Sequence, residues 1–208
     1  MSVAPERGAA RRGLRPERVV AEAATIADAE GLDAVTVARL AQELGVRPPS
    51  LYKHVAGRDA VVRGVALIGL RDLGSALAAA AVGRAGEDAL VAFAHAYRTY
   101  ALAHPGSYAA TVRAPAAGDA EHEALAAAVM ETVLAVLRAW DLEGEDVIHA
   151  ARALRSALHG FVTLEAAGGF GLPADRERSF EELVRTLAAG LSARPGTAAP
   201  ASPRGRRG

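Results

Sequence analysis

The chain has 208 residues, and 51% of them are apolar, which is enough for a sizeable buried core and argues against global disorder. Its 24 basic and 24 acidic side chains cancel, so a nucleic-acid partner would need a local concentration of basic residues. There is no cysteine, which excludes disulfide frameworks, cysteine-ligated zinc and thiol catalysis. The chain shows no signal peptide and no run near the ~18 apolar residues of a membrane span, so we expect a cytoplasmic protein with no membrane partner.

Helical periodicity is present almost throughout, whereas strand signals are nearly absent, and this predicts an all-α fold of about nine helices. Residues 1–13 and 195–208 are predicted to be disordered, the first segment forming a basic arm with Arg11 and Arg12 that continues to Arg15. The first helix is predicted to begin at Pro16 and end at Gly31. Its apolar face consists of Val19, Ala23, Ile26 and Ala27.

Two short helices are predicted next. Thr36 caps the first of them, which ends at Gly45, and Pro48 and Pro49 open the second, which runs through about His54. Their apolar positions have the spacing of a small shared core: Leu40, Ala41, Leu44, Val46, Leu51 and Val55. This arrangement fits a helix-turn-helix, whose second helix enters the major groove of DNA, although a plain helical hairpin has the same pattern.

The polar residues of this segment fall into two groups. Arg47, Pro49, Ser50 and Lys53 lie at the start and on the outer face of the second short helix. The groups that can reach phosphates are Thr36, Tyr52, His54 and Arg58, the last at the start of the following helix.

Pro and Gly residues, which tend to end helices, divide the rest of the chain into further predicted helices. These are predicted from near Arg58 to the run before Gly83, from about Glu87 to His104, from Asp119 to Trp140, from near Glu145 to Gly168, and from Ser179 onward. Pro105 is expected to stop one helix, and Pro115 and Gly118 to frame a loop. Ser179 and Glu182 have the spacing of a capping box.

The run TVARLAQELGVRPPSLYKHVAGRDAVV resembles the DNA-binding segment of the tetracycline repressor (TetR) family. The strongest matches are Leu40-Ala41, Leu44-Gly45-Val46, Leu51-Tyr52 and His54-Val55, and the resemblance covers roughly residues 14–67. It implies that Tyr52, His54 and Arg58 contact phosphate and that Arg47, Pro49, Ser50 and Lys53 lie nearest the bases. Pro48 departs from the family pattern, because members often carry a polar base-reading side chain there.

The same resemblance implies a DNA-binding domain at residues 14–60 and a helical effector-binding and dimerisation domain at residues 61–194. The segments RALRSALHGFVTLEAAGGFGL and SFEELVRTLAAGL resemble one branch of the family, with its helix LHGFVTLE, in which this pair of helices dimerises. The implied interface comprises Leu154, Leu158, His159, Phe161, Val162, Phe180, Leu183 and Leu187. The candidate effector pocket comprises Phe93, Tyr97, Tyr100, Met130, Trp140, Arg155 and His159.

Motifs for catalysis are missing from the sequence. It has no Gly-x-Ser-x-Gly elbow or P-loop, and no two histidines stand at i and i+4, so neither an enzyme, a cofactor nor a metal is predicted. The prediction is a homodimeric regulator, usually a repressor in this family, that binds a palindromic operator and answers to an unidentified small molecule. Two alternatives stay open: an all-helical small-molecule-binding protein or enzyme without specific DNA binding, and a DNA-binding dimer with no effector.

Overall fold

The computed structural model describes residues 14–193, and helices are the regular secondary structure over that range, joined by turns and loops. The nine α-helices are α1 Pro16–Glu30, α2 Val37–Glu43, α3 Pro48–Leu51, α4 Arg58–Ala81, α5 Gly86–Ala103, α6 Pro105–Thr111, α7 Ala120–Leu137, α8 Glu145–Ala166 and α9 Arg176–Ser192. Short 3₁₀ turns occupy Leu32–Ala34 and Arg138–Trp140. The all-α prediction is confirmed. The predicted arm at 1–13, with Arg11 and Arg12, and the tail at 195–208 lie outside the described residues.

The chain forms two compact units. The first unit comprises the described residues up to Asp72 together with Ala103–Ala126, and the second unit comprises Leu73–Leu102 and the chain from Ala127 onward. The first unit therefore takes in α6 and the first turns of α7 as well as α1 to α3. The proposed division at residue 60 does not anticipate this grouping, because α6 follows α5 in the chain but packs on α1.

The first unit is built around the apolar face of α1. Its four buried residues are Val19, Ala23, Ile26 and Ala27, as the periodicity predicts. They share one core with Leu40 and Ala41 of α2, Leu51 of α3, and valines from the start of α4. Burial of these side chains fixes the two short helices, which could not hold their shape alone.

Helix α6 was not predicted. Pro105 stops α5, but it also occupies the first position of this seven-residue helix. Its N-terminus is capped from α1, where one carboxylate oxygen of Asp28 accepts from the backbone N–H of Ser107 at 2.7 Å and the other lies 3.0 Å from His104 Nδ1. The cap comes from 79 residues away, so no local pattern could reveal it.

The predicted start of the last helix is wrong by one turn. Helix α9 is capped by Asp175, whose side chain accepts from the backbone N–H of Glu177 at 2.8 Å. Ser179 lies inside the helix and donates to the backbone oxygen of Asp175 at 2.9 Å. Asp175 is as good a capping residue as serine, and it comes earlier in the chain.

Helix α4 is long and apolar enough, by length and composition, to cross a membrane. Its side chains Val61, Val65 and Leu77 are fully buried in the protein, and Leu73 is 4% exposed. Burial within the two units therefore accounts for its apolar character.

An arginine-centred cluster joins α5, α8 and α9 in the second unit. Arg98 donates to both carboxylate oxygens of Glu165 at 2.8 Å and to Glu177, and its guanidinium lies 4.8 Å from the centre of the Phe180 ring. These hydrogen bonds raise the pKa of Arg98 and lower that of Glu165. Phe180 itself is fully buried, so the charge cluster closes over the core of this unit.

Candidate nucleic-acid interface

Helix α2 is fixed at both ends by its own sequence. At the start, Thr36 Oγ1 accepts a hydrogen bond from the backbone N–H of Arg39 at 3.1 Å. At the end, Gly45 adopts φ +65°, a conformation that favours glycine, and Val46 N donates to the Ala41 carbonyl at 2.9 Å. The chain leaves α2 through this turn and enters α3 three residues later, which makes α2 and α3 a helix-turn-helix.

The apolar residues predicted to join these helices do so. Leu40, Ala41, Leu51 and Val55 are buried, and Leu44 and Val46 pack against the same core while partly buried. Leu51, the last residue of α3, has no exposed surface at all. The inner face of α3 is therefore immobilised, which leaves its outer face as a rigid surface.

The outer face of the motif carries most of the predicted DNA contacts. Arg47, Pro49 and Lys53 are exposed, and Ser50 and His54 are half-buried. Tyr52 exposes 61% of its surface, which places it among the exposed large side chains of the described residues. Neither Arg47 nor Lys53 forms an ion pair with a residue in the described range. Both charges are therefore available to an external anion.

Thr36 and Arg58 also serve the fold. The Thr36 hydroxyl oxygen is the cap of α2, although its O–H can still donate. Arg58 Nε donates to the Val35 carbonyl at 2.8 Å and Nη2 to the Leu32 carbonyl at 3.2 Å. Its guanidinium therefore holds the turn that precedes α2. A phosphate role for Arg58 would have to share these hydrogen bonds.

The predicted effector residues lie in the second unit, where four of them are at least 92% buried: Phe93, Tyr97, Tyr100 and Trp140. Trp140 Nε1 donates to Ser192 Oγ at 3.0 Å. Met130 is 41% exposed, Arg155 is exposed and His159 is half-buried. The structure thus separates an aromatic group in the interior from three residues nearer the surface.

The predicted interface residues divide in a similar way. Leu154, Leu158, Val162 and Phe180 are no more than 3% exposed, so they form the core of their own unit and offer no surface to a partner. Phe161, His159, Leu183 and Leu187 are half-buried. Apolar spacing alone cannot tell a helix face that meets its own core from one that meets a second subunit.

The structure contains a cavity that was not predicted from the sequence. It has a volume of about 470 Å³ and lies in the first unit among α4, α6 and the start of α7. Its polar lining includes Arg113, Asp119 and His122, of which the sequence pointed only to Asp119, as the start of a helix. Asp119 does cap α7, accepting from the backbone N–H of His122 at 3.2 Å. None of the predicted pocket residues lines this cavity, and no three acidic or histidine side chains in the described residues form a metal site.

Comparison with known proteins decides the family. Residues 19–65 match the model of the bacterial regulatory proteins of the tetR family, and residues 90–187 match a tetracyclin repressor-like C-terminal domain. The uncharacterized HTH-type transcriptional regulator Rv0681 of Mycobacterium tuberculosis is 40% identical over 87% of this chain and 83% of its own length. The chain belongs to the TetR family.

Two further comparisons agree with this assignment. The uncharacterized HTH-type transcriptional regulator YobS of Bacillus subtilis is 36% identical over 87% of this TetR-family chain and 94% of its own length. The TetR family protein ActR of Streptomyces coelicolor, solved in complex with (S)-DNPA, superposes with a TM-score of 0.64 at 25% identity. That alignment covers 86% of this chain and 98% of ActR.

Family membership confirms the functional class that the sequence predicted. This TetR-family protein is a DNA-binding transcriptional regulator and is not an enzyme. The helix-turn-helix lies within the part of the chain that matches the N-terminal family model, and α6, α7 and α8, with most of α5 and α9, lie within the part that matches the C-terminal model.

Proposed function

We propose that the protein is a homodimeric repressor that binds a palindromic operator in the cytoplasm and is released by a small-molecule effector. The observation that carries the proposal is the outer face of the helix-turn-helix. It presents an exposed arginine, an exposed lysine and a 61%-exposed tyrosine on a frame of fully packed apolar residues. Since the chain has no net charge, we expect DNA affinity to come from this face and from the basic arm with Arg11, Arg12 and Arg15, both repeated by a second subunit.

Each polar residue of that face has a proposed role. Arg47, Pro49, Ser50 and Lys53 stand at or next to α3 and would lie nearest the base edges. Tyr52, His54 and the Thr36 hydroxyl would bind phosphate and set the register. Arg58 would support them by holding the turn before α2. Pro48 and Pro49 donate no N–H, so a backbone contact at the start of α3 has to come from a later residue.

The second subunit is proposed to dock on α8 and α9. One side of α8 stays exposed in the single chain, with Ile148 at 47% and both Arg152 and Arg155 exposed. Half-buried His159 and Gly160 continue this side, and half-buried Leu183 and Leu187 are available on α9. An apolar and arginine-bearing face of this kind has the composition of a dimer interface.

The effector is proposed to bind in the second unit. The aromatic residues Phe93, Tyr97, Tyr100 and Trp140 are gathered there, and ActR, whose fold is similar, was solved with a small molecule. Effector binding would favour a spacing of the two heads that does not fit the operator. Coupling of this kind amounts to ~1–3 kcal/mol.

A salt titration with Lys53→Gln tests the DNA-binding assignment. Fragments from upstream of the protein's own gene serve as probes in fluorescence anisotropy, from low to physiological salt. Lys53 is proposed to lie nearest the base edges, so its loss should reduce the free-energy preference for the operator over fragments changed at the contacted base by ~1–3 kcal/mol. If Lys53 neutralises a phosphate instead, its loss should reduce the slope of log affinity against log salt by about 1 per subunit.

Arg138→Gln is the matched control, because Arg138 is exposed on the 3₁₀ turn of the second unit and carries the same charge. It should leave both slope and sequence preference unchanged. If Lys53→Gln, Arg138→Gln and the parent have the same salt slope and the same sequence preference, Lys53 does not contact DNA. Binding of every fragment at only ~10⁻⁴–10⁻⁶ M would contradict a specific operator upstream of the gene.

A further inference from the structure

The cavity in the first unit has the size and the lining of a small-molecule site. Its volume of about 470 Å³ falls within the usual range of ligand pockets, about 300–1,000 Å³. The apolar part of its wall includes Val62 and Ala66 of α4 and Ala110 of α6. All three also belong to the buried core that holds the helix-turn-helix, so an occupant would touch that core directly.

His122 gives the cavity an unsatisfied polar atom. The residue lines the cavity and is only 6% exposed. Its Nε2 atom is buried and has no hydrogen-bond partner among the described residues. Its Nδ1 atom lies 3.9 Å from Asp119 Oδ2, which is too far for a hydrogen bond. Buried polar atoms are nearly always satisfied, so a group from outside the protein is needed at Nε2.

The charges around His122 indicate the chemistry of that group. Arg63 forms ion pairs with Asp119 at 2.5 Å and with Glu121 at 3.1 Å. Donation from Arg63 lowers the pKa of Asp119 to about 2, so this carboxylate is ionised at neutral pH and is itself already paired with Arg63.

The other basic side chain of the lining is Arg113. It is exposed and forms no ion pair within the described part of the chain, and exposed Asp59 is the remaining acid of the lining. A ring that faces Asp119 through Nδ1 can donate from Nε2 to an anion, and Arg113 can donate to the same anion. The wall of alanine and valine suits an apolar tail behind it.

We propose that this cavity binds a small organic acid whose carboxylate accepts from His122 Nε2 and Arg113 and whose apolar part lies on Val62, Ala66 and Ala110. The site is in the first unit and is distinct from the aromatic group in the second unit. Binding itself does not depend on DNA. Any effect of the acid on operator affinity rests on the proposed function, because it would act by stabilising the core under the helix-turn-helix.

The probes are octanoate, octan-1-ol and octylamine, which share a tail and differ in head group. Full-length protein labelled with ¹⁵N in histidine is titrated with each probe, without DNA, and the ring signals are followed by NMR. The signal that disappears in His122→Gln identifies His122. Octanoate should shift that signal saturably, and the alcohol and the amine should shift it less at the same concentration.

Surface variants keep the test independent of folding. Arg113→Ala should weaken octanoate binding at the His122 signal about tenfold, the equivalent of a lost charge-assisted hydrogen bond. Arg138→Ala, the same change in the second unit, should not weaken it. Octylamine or octan-1-ol binding as tightly as octanoate would overturn the acid assignment. A His122 signal that none of the three probes moves would overturn the site, while the operator titration would stand unaffected.

Discussion

Two arginines near the helix-turn-helix differ in their hydrogen bonding. Arg47 is exposed and pairs with no described residue, whereas Arg58 donates to the backbone carbonyls of Val35 and Leu32. Val35 is fully buried, so its carbonyl needs a hydrogen-bond donor from the protein in place of water. The guanidinium of Arg58 therefore belongs to the fold, and that of Arg47 is left for a ligand.

Replacing these arginines separates the two roles. Arg58→Ala should lower the free energy of unfolding by about 1–3 kcal/mol, because the Val35 carbonyl loses a charged donor. Arg47→Ala, the matched control, should change it by less than about 0.5 kcal/mol. Urea titration followed by circular dichroism measures both. An Arg58→Ala variant as stable as the parent but weaker on operator DNA would favour the phosphate contact that the family resemblance implied.

The sequence predicts the frame of this motif but not the backbone hydrogen bonds of Arg58. Leu40 and Leu44 stand four residues apart, as do Leu51 and Val55, a spacing that helical turns place on one face and that is visible in a single sequence. The hydrogen bonds of Arg58 reach back 23 and 26 residues, to carbonyls whose positions depend on the packed 3₁₀ turn. A charged side chain looks the same in sequence whether it binds a carbonyl of its own fold or a phosphate.

At the scale of elements, the first unit depends on the contact between α1 and α6. Gly106 of α6 lies against Ala27 of α1, and a Cβ atom at this glycine would overlap the Ala27 carbonyl. Asp28, the next residue of α1, caps α6. The small residue allows the approach and the carboxylate fixes it, so the two helices form one rigid pair.

Gly106→Ala should therefore destabilise the protein by about 1–3 kcal/mol, the usual range for overpacking, although alanine is the better helix former. Gly190→Ala is the control. Gly190 lies inside α9, and a Cβ there would meet nothing within 4 Å, so the substitution should stabilise by about 0.5–1 kcal/mol. Urea unfolding of both variants gives the comparison. Stabilisation by Gly106→Ala would show that α6 does not pack on α1 this closely.

Helices with local signals were predictable, and those set by distant residues were not. The bounds of α1, α4 and α5 follow from Pro and Gly near their ends and agree with the prediction to within a residue or two. Helix α6 was missed because its cap comes from α1. The start of α9 was misplaced because two good capping residues, Asp175 and Ser179, compete one turn apart.

At the scale of the whole molecule, the hardest question from sequence is which apolar face would meet the second copy of the chain in the proposed dimer. Helix α8 carries two stripes, and the one with Leu154 and Leu158 is buried in the single chain. The surface left over runs along Ile148, Arg152 and Arg155 to Gly160. A sequence shows both stripes but not which of them packs in the core of its own chain. The residues that are free to form an interface therefore follow only from the fold.

Gly160→Glu tests whether that remaining surface is the dimer interface. A Cβ at Gly160 would meet nothing within 4 Å in the single chain, so the longer side chain costs the monomer fold little. At an interface it would place a carboxylate where a partner helix packs closely, and an unpaired charge buried there is costly. Sedimentation equilibrium should show a dimer dissociation constant raised at least about tenfold, with circular dichroism unchanged.

Ala127→Glu adds the same charge to an exposed position of α7, which also belongs to the second unit, and it should leave the dimer intact. Operator binding gives an independent reading of the same variants, because a palindrome is held by two heads. Gly160→Glu should lose specific binding in proportion to its loss of dimer and regain it at high protein concentration. A Gly160→Glu protein that remains dimeric at the same concentrations as Ala127→Glu would place the second subunit on another face.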